Sequence, residues 1–500
     1  MTLSLKPPKI FGWMINFFVK QQSSEVDREL PFVALLFTIL AASGVSLYDS
    51  WKKLARIPLL PRLQREAKDV VRRVEVLGED PLMVMQKKAQ ETPSKQYREF
   101  LAGYVSSVKS GGDVVSFLKS KLRSIFEVQS AAAIRSVEKL GTLVEAYAVM
   151  LIVTLCTYIL FVVVSATNFF ELNRMGETPT LSQPTLYFLI FGATPLISIV
   201  FIAVAHTARK SNLMNIKPVY YLAIPPAAIV AIVLAAAYHI PALQFLVEPN
   251  TLPLFVTICL CAISFPSAIA YLRLERINTA AEEAMPSFLR DVTEARKIGL
   301  SPEKSIVHAT KRAGYGKFSE VLELIRSQME WGISLRKIFR NIRKRIQTWP
   351  VLVNFLILVE TIKIGGGSAA ALETLTEYGE KLRDVEVNKR SLLKPYTILA
   401  FVWSILIAIT TTIVAMTLFV LTQISLPGST AIPAENMLHG ISIFSVGIIL
   451  QCWISGFFIG KVNNGTLAAG FKYSILLTVT AYVSLWVSRD FLGGMFGLVS

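Results

Sequence analysis

Residues 396–422, YTILAFVWSILIAITTTIVAMTLFVLT, form a stretch of 27 residues without a single charged side chain. About 20 apolar residues are enough for a helix to cross the hydrocarbon core of a bilayer. Upstream, residues 368–394 are rich in charge and predict a long helix that leads through Pro395 into this stretch. The sequence therefore predicts a helix that passes from water into a membrane.

Other uncharged stretches follow the same pattern, at residues 146–168, 185–206, 218–240, 251–272, 437–460 and 473–488. The chain is 53% hydrophobic and 17% charged, whereas soluble domains carry about 25% charged residues. This composition excludes disorder, a coiled coil and most soluble enzymes. It indicates an all-α, polytopic membrane protein with seven spanning helices, in which Pro225 and Pro226 predict a kink.

The charge of the connecting segments alternates along the chain. Residues 31–145, 207–217, 273–395 and 461–472 are net positive, whereas 169–184, 241–250 and 423–436 are negative. By the positive-inside rule, both long basic regions lie in the cytoplasm and the C-terminus lies outside. Topology therefore explains most of the net charge of +16. We expect no nucleic-acid partner, because aromatic and basic residues are not interleaved in any recognisable motif.

The sequence contains an internal repeat with an offset of 255 residues. Pro31 aligns with Pro286, and Gly44 aligns with Gly299. After one residue is dropped, the glycines at 78, 111 and 112 align with those at 332, 365 and 366, and both copies lead into a spanning helix. A rival offset of 221 leaves roughly 29 residues unmatched before the second span, so the longer offset is preferred.

The first apolar segment, residues 30–48, has two interpretations. By hydropathy it is an eighth span, which would move residues 1–29 across the membrane. However, its counterpart in the second copy, PSFLRDVTEARKI, contains charges such as Arg290, Asp291 and Glu294. The repeat therefore favours a buried helix of a cytoplasmic bundle for residues 31–43.

Turn signals divide each copy into helices. Pro286 is predicted to open a helix that Gly299 ends, and Pro350 is predicted to open another. The pattern predicts two six-helix bundles. Their structural turns are assigned to Gly44, Gly111, Gly112, Gly299, Gly332, Gly365, Gly366 and Gly367. Gly365-Gly366-Gly367-Ser368 lacks the lysine of a nucleotide-binding P-loop, so we interpret it as a tight turn between helices.

Catalytic and metal-binding motifs are not found. The cysteines (Cys156, Cys259, Cys261 and Cys452) lie in apolar stretches, and the histidines are scattered without a ligand-type spacing. We therefore predict no enzyme activity, no catalytic residue, no metal and no cofactor. The spans contain no internal charge, which disfavours an ion pathway. A transporter or channel remains the alternative function, since polar side chains could line a pore.

The densest basic cluster is Arg336, Lys337, Arg340, Arg343, Lys344 and Arg345. Spacings of three and four residues bring most of these cations onto one helical face. Three interpretations remain open: a solvated face, a surface that binds an acidic partner, and a surface that binds lipid headgroups.

The predicted organisation has six parts. An N-terminal segment at the membrane interface, 1–29, precedes a first cytoplasmic bundle, 30–145, and four spanning helices, 146–272. A second cytoplasmic bundle, 273–395, precedes three spanning helices, 396–490, and a short external tail, 491–500. The protein is thus expected in the cytoplasmic membrane with its large domains inside the cell.

Two segments carry a family resemblance: LPFVALLFTILAASGVSLYDSW (30–51) and TPSKQYREFLAGYVSSVKSGGDVVSFL (92–118). With the Gly-x-Ser turns, the glycine-rich turn and the helices that enter the membrane, they resemble duplicated F domains of the type II secretion and type IV pilus platform family. The resemblance covers about 30–168 and 284–422 and is greatest to the archaeal branch. That branch includes platforms of the archaellum and of adhesive pili.

The resemblance implies a membrane platform without catalytic or cofactor-binding residues. Such a platform binds a cytoplasmic hexameric secretion ATPase and couples its motion to the insertion of pilin or archaellin subunits into a filament. It also suggests a homodimer. The basic cluster at 336–345 is the candidate ATPase interface, because a basic surface suits an acidic partner. The sequence leaves open whether the filament is an archaellum or an adhesive pilus. The first copy departs from the family pattern in its very apolar first helix.

Overall fold

The computed structural model describes residues 9–175, 188–209, 211–365, 367–424 and 434–495. The regular structure of these ranges is all helical, which confirms the predicted fold class. In chain order the helices are α1 Lys9–Ala42, α2 Leu47–Leu54, α3 Pro61–Glu75, α4 Pro81–Glu91, α5 Lys95–Lys109, α6 Val114–Met175, α7 Thr194–Ala208, α8 Lys217–Tyr221, α9 Ile224–His239, α10 Leu252–Lys297, α11 Pro302–Thr310, α12 Ser319–Glu330, α13 Leu335–Arg345, α14 Trp349–Gly365, α15 Ala369–Ile424, α16 Ala434–Asn464 and α17 Gly470–Met495.

The chain divides into two compact units. The first contains Met1–Ala133 and Arg276–Glu386, and the second contains Ile134–Glu275 and Val387–Ser500. Each change of unit falls inside a helix, namely α6, α10 or α15. These three helices therefore continue without interruption from the first unit into the second.

The repeat is visible in the helices of the first unit. The end of α1 and helices α2 to α6 correspond, at offsets of 255 and 254 residues, to the end of α10 and helices α11 to α15. Local signals set these helices: Ser46 and Ser301 are N-caps whose hydroxyls accept a hydrogen bond from the backbone N–H three residues on. Each copy thus contributes six helices, as the sequence predicts.

The two copies share one hydrophobic core. The Phe32 ring lies 4.6 Å from Trp349 and 5.6 Å from Tyr378, measured between ring centroids. The Trp349 indole Nε1 also donates a hydrogen bond of 2.8 Å to the carbonyl of Leu59. The first unit is therefore one body in which the first copy packs against the second, an association that the repeat alone does not predict.

Helix α1 places the ambiguous first segment in this core. Leu30, Val33 and Leu35 are each 0% exposed, and the neighbouring apolar residues up to Leu40 are almost as deeply buried. The helix begins at Lys9 and continues through Pro31, so the segment assigned to the interface and the buried segment belong to one helix. It is not among the helices of the described chain that are long and apolar enough to span a membrane.

The helices that could span a membrane lie wholly or partly in the second unit. Seven helices of the described chain are long and apolar enough to cross a bilayer, and each overlaps one predicted span: Val114–Cys156, Ile190–Ala208, Lys217–Ala237, Leu252–Lys297, Ala369–Val414, Ser442–Asn464 and Leu467–Phe491. The predicted kink at Pro225 and Pro226 is instead a break between α8 and α9. Both prolines lie in the first turn of α9. Backbone N–H groups in the first turn have no partner within the helix, so proline costs no hydrogen bond there.

The prediction that Pro286 opens a helix is wrong. Helix α10 runs from Leu252 through Pro286 to Lys297 without a break. Proline inside a helix costs a hydrogen bond and strains the preceding turn. The flanking side chains of Met285 and Phe288 are buried in the shared core, at 1% and 0% exposure, and this packing holds the helix together.

Candidate partner-binding surface

Helix α13 has one apolar face and one basic face. Leu335, Ile338, Phe339 and Ile342 recur at helical spacing and are buried in the core of the first unit. All six cations of the predicted cluster lie on the exposed part of the helix. At about 100° per residue, Arg336, Lys337, Arg340, Arg343 and Lys344 fall within an arc of about 120°. We call this arc, together with Arg345, the basic face.

The basic face has little negative charge beside it. Arg336 lies 3.6 Å from the carboxylate of Glu360. The other five cations have no carboxylate within 4 Å among the residues that the structure describes. By contrast, Lys88 on α4 contacts both Glu66 and Asp69, and its hydrogen bond holds the pKa of the Asp69 carboxyl below its usual range. The basic face is therefore an exposed cluster of cations that the first unit leaves largely unneutralised.

Sequence reasoning missed one residue beside this face. Trp331, between α12 and α13, is 83% exposed. Gly332 signals the end of a helix at this point, which places Trp331 at a helix terminus. Nothing in the sequence alone, however, distinguishes an exposed tryptophan here from a buried one.

The predicted turn glycines lie at the ends of helices. Gly44, Gly299, Gly332 and Gly111 have φ between 70° and 90°, a region that only glycine enters without strain. Gly112 follows Gly111 in the same turn. Of the remaining three, Gly365 ends α14, Gly367 has φ 62°, and Gly366 lies outside the described residues. The Arg296 guanidinium donates a hydrogen bond of 2.9 Å to the carbonyl of Gly367. This bond joins the glycine-rich turn to α10 within the first unit.

Short loops of the second unit meet in two separate groups. Arg209 donates hydrogen bonds of 2.6 and 2.7 Å to the carbonyls of Val462 and Asn463 at the end of α16. Glu275 forms an ion pair of 2.7 Å with Lys472. In the other group, Arg489 donates a hydrogen bond of 2.7 Å to Asn250. The loops that meet in the first group are those predicted to be positive, and the loop 241–250 that meets Arg489 is predicted to lie on the opposite side.

The interior of the second unit contains a cluster of neutral polar groups. The Tyr147 hydroxyl lies 3.0 Å from Ser198 Oγ and 2.7 Å from Ser455 Oγ, and Gln451 Nε2 donates to Ser198 Oγ at 2.7 Å. Gln451 also borders a cavity of about 70 Å³ whose other lining residues are apolar or threonine. Such groups hold helices together by hydrogen bonds, and they supply neither a nucleophile with its base nor a charge for ion transfer.

The titratable side chains do not form a metal site in the part of the chain that the structure describes. Among the described residues, no group of three or more His, Cys, Asp or Glu side chains is arranged to hold a metal ion. The four cysteines are free thiols. The described residues thus combine an exposed basic surface on the first unit with helices that are long and apolar enough to span a membrane.

These features define a class: a multi-pass, all-helical membrane protein with a duplicated helical bundle. Comparison with known protein families gives the particular family. The model of "type II secretion system (T2SS), protein F" matches the chain twice, at residues 33–162 and 288–416. The chain therefore belongs to the type II secretion system protein F family. The two matches begin 255 residues apart and end 254 apart, which confirms the predicted repeat and its offset.

A relative aligns with nearly the whole chain. An uncharacterized protein of Methanocaldococcus jannaschii is 20% identical over 510 aligned positions, which cover 95% of this chain and 81% of the relative. No solved structure matches the chain. The family forms membrane platforms of type II secretion and type IV pilus systems, and its members are structural proteins, not enzymes.

Proposed function

We propose that this protein is the membrane platform of a type IV filament assembly machine, either an archaellum or an archaeal adhesive pilus. The observation that carries the proposal is the continuity of α6, α10 and α15, which run from the duplicated bundle into helices that can span a bilayer. A motor that moves the bundle would thereby act on membrane helices directly. The relative in an archaeon supports the archaeal assignment.

The bundle is proposed to lie in the cytoplasm. The short loops at 207–217 and 461–472 are positive, and short positive loops are retained inside. The contact between Arg209 and the end of α16 supports a common side for these two loops. Glu275, after which α10 continues into the first unit, contacts Lys472 in the same group.

The proposed partners follow from this arrangement. The bundle binds a cytoplasmic hexameric secretion ATPase, with the basic face of α13 as the docking surface. The membrane helices contact pilin or archaellin subunits as these enter the filament, and the platform acts as a homodimer. A positive surface of this kind steers an acidic partner by long-range attraction. The platform itself supplies no catalytic group and no cofactor.

The experiment has two parts. Wild-type protein is purified from its own cells and tested for co-purification of the secretion ATPase, and a gene deletion is examined for filaments by electron microscopy. We expect the ATPase to co-purify and the deletion to lack one filament type, which identifies it. If neither occurs, and reconstituted protein transports a solute in a flux assay, the transporter or channel alternative replaces the proposal.

A further inference from the structure

The two copies of the repeat present different surfaces at equivalent positions. At an offset of 254 residues, the basic face of α13 corresponds to Leu82, Met83, Gln86, Ala89, Gln90 and Glu91 on α4. Trp331 corresponds, at an offset of 255, to Val76. The fold is duplicated, but the cations and the tryptophan occur only in the second copy.

Trp331 lies in the turn that joins α12 to the basic helix α13. It follows α12 directly, and Gly332 with φ 70° turns the chain toward α13. Asn341 of α13 donates a hydrogen bond of 3.1 Å to Gln328 of α12, which holds the two helices together. The backbone of Trp331 is therefore held close to the start of α13, and its indole is open to solvent. An exposed tryptophan next to arginines is the composition of a binding hot spot.

We propose that the secretion ATPase docks on the second copy alone. Trp331 is the apolar anchor of this docking site, and the cations of the basic face form ion pairs around it. The complementary site on the ATPase is an apolar pocket rimmed by carboxylates. This inference rests on the proposed function and assigns the partner to one of two similar bundles.

A protein partner fits this surface better than a lipid surface. A helix that lies on a membrane buries its apolar face among the acyl chains. The apolar face of α13 is already used, since Leu335, Ile338, Phe339 and Ile342 are at most 9% exposed within the unit. What remains for a partner is charge and one indole, which suits an acidic protein surface.

The cations also gain from neutralisation. Arg336 with Arg340, and Arg340 with Lys344, are like-charge pairs four residues apart, an arrangement that destabilises a helix. Carboxylates of a partner would relieve this repulsion as well as form ion pairs. Salt should weaken the complex, because exposed charges are screened over about 8 Å at physiological ionic strength.

The test uses full-length protein in nanodiscs of phosphatidylcholine and the purified secretion ATPase of the same genome, with affinity measured at two salt concentrations. We expect R340Q/R343Q/K344Q to weaken binding about tenfold or more and to reduce its salt dependence. Trp331→Ser should weaken binding by about 30-fold. The matched controls in the first copy are Q86E/K87Q/Q90E, with the same change of net charge, and Val76→Ser. Both should bind within about twofold of wild type.

Each of the other possible results contradicts a specific part of the docking proposal. Equal losses for both sets of variants would show that the ATPase contacts both copies. Wild-type affinity in the α13 and Trp331 variants would exclude this surface as the docking site, while the platform role and ATPase binding elsewhere on the bundle would still stand. An effect of the variants only in nanodiscs with anionic lipid would assign the surface to the membrane, and a change in oligomeric state would assign it to a second copy of this chain. If wild-type protein does not bind the ATPase, the proposed function fails as well. Unchanged unfolding temperatures exclude misfolding as the cause.

Discussion

Glu29 shows how a single buried carboxylate joins two helices of the first copy. It lies on α1 and is only 5% exposed. Its Oε2 accepts hydrogen bonds of 3.1 and 2.9 Å from the backbone N–H groups of Arg62 and Leu63, in the first turn of α3. The carboxylate thus caps a helix from a distant part of the chain. Burial nevertheless raises the pKa of Glu29, and the two backbone hydrogen bonds only partly oppose this effect.

This raised pKa predicts a pH dependence of stability. The folded protein holds the Glu29 proton more tightly than the unfolded chain, so the contribution of Glu29 is greatest below the unfolded pKa. It is lost as pH rises through the folded pKa. We expect the difference in unfolding temperature, wild type minus Glu29→Gln, to increase as pH falls from 7 toward 4.5. Differential scanning fluorimetry of detergent-purified protein measures it, and a difference that is constant with pH would contradict the assignment.

Tyr378 carries a second prediction at the residue scale. It is 3% exposed in the shared core, and its hydroxyl has no hydrogen-bond partner within the described chain. A buried polar group without a partner costs about 1–3 kcal/mol. Tyr378→Phe should therefore raise the unfolding temperature by about 2–4 °C. The matched control is Tyr315→Phe. The Tyr315 hydroxyl donates to Asp291 and to the carbonyl of Ala309, so its removal should lower the unfolding temperature.

The sequence predicts local features better than contacts between distant residues. The basic face of α13 follows from spacings within 11 residues, so the periodicity of the sequence is sufficient to predict it. The contact of Phe32 with Trp349, in contrast, joins residues from different copies. Nothing local indicates that two bundles will share one core, and the role of Glu29 depends on the same kind of distant contact.

At the scale of elements, helix continuity is where the sequence misleads. Proline is a reliable helix start when its first turn faces solvent, as at Pro302 of α11. At Pro286 the buried residues on both sides outweigh the local cost, and α10 continues. Whether a helix continues through a proline depends on how much apolar side-chain surface is buried on both sides of it. A local turn signal in the sequence does not contain that information.

Helices α16 and α17 of the second unit approach each other closely, and small residues permit it. A Cβ atom added at Gly456 would lie 2.3 Å from the backbone nitrogen of Ser474. One added at Gly460 would lie 2.3 Å from that of Gly470. Small residues four apart let helix backbones approach within a membrane, where the hydrophobic effect no longer drives association.

Gly456→Leu should therefore separate these helices. Overpacking costs about 1–3 kcal/mol or more, and we expect the unfolding temperature in detergent to fall by about 5 °C or more. Ala235→Leu on the exposed face of α9 adds a comparable volume without meeting another helix, so it should leave the temperature unchanged. Equal stability of the two variants would show that α16 and α17 do not approach this closely.

At the scale of the whole molecule, the function depends on which side of the membrane the bundle occupies. A soluble ATPase can act only on cytoplasmic parts of the chain. The charge of the short loops predicts that side, because long domains are translocated largely regardless of their charge. The first unit is itself a long domain, so its side must follow from the loops at 207–217, 241–250 and 461–472.

Cysteine labelling tests this topology directly. In a variant with the four native cysteines replaced by alanine, single cysteines are introduced at exposed positions by Ser110→Cys in the first unit, Asn215→Cys and Gln244→Cys. In intact cells a membrane-impermeant maleimide should label the cysteine at 244 and not those at 110 or 215. Permeabilised cells should give labelling at all three sites, which shows that each is reactive. Labelling of the cysteine at 110 in intact cells would place the bundle outside, where no cytoplasmic motor could reach it, and the platform proposal would then fail even if the fold is correct.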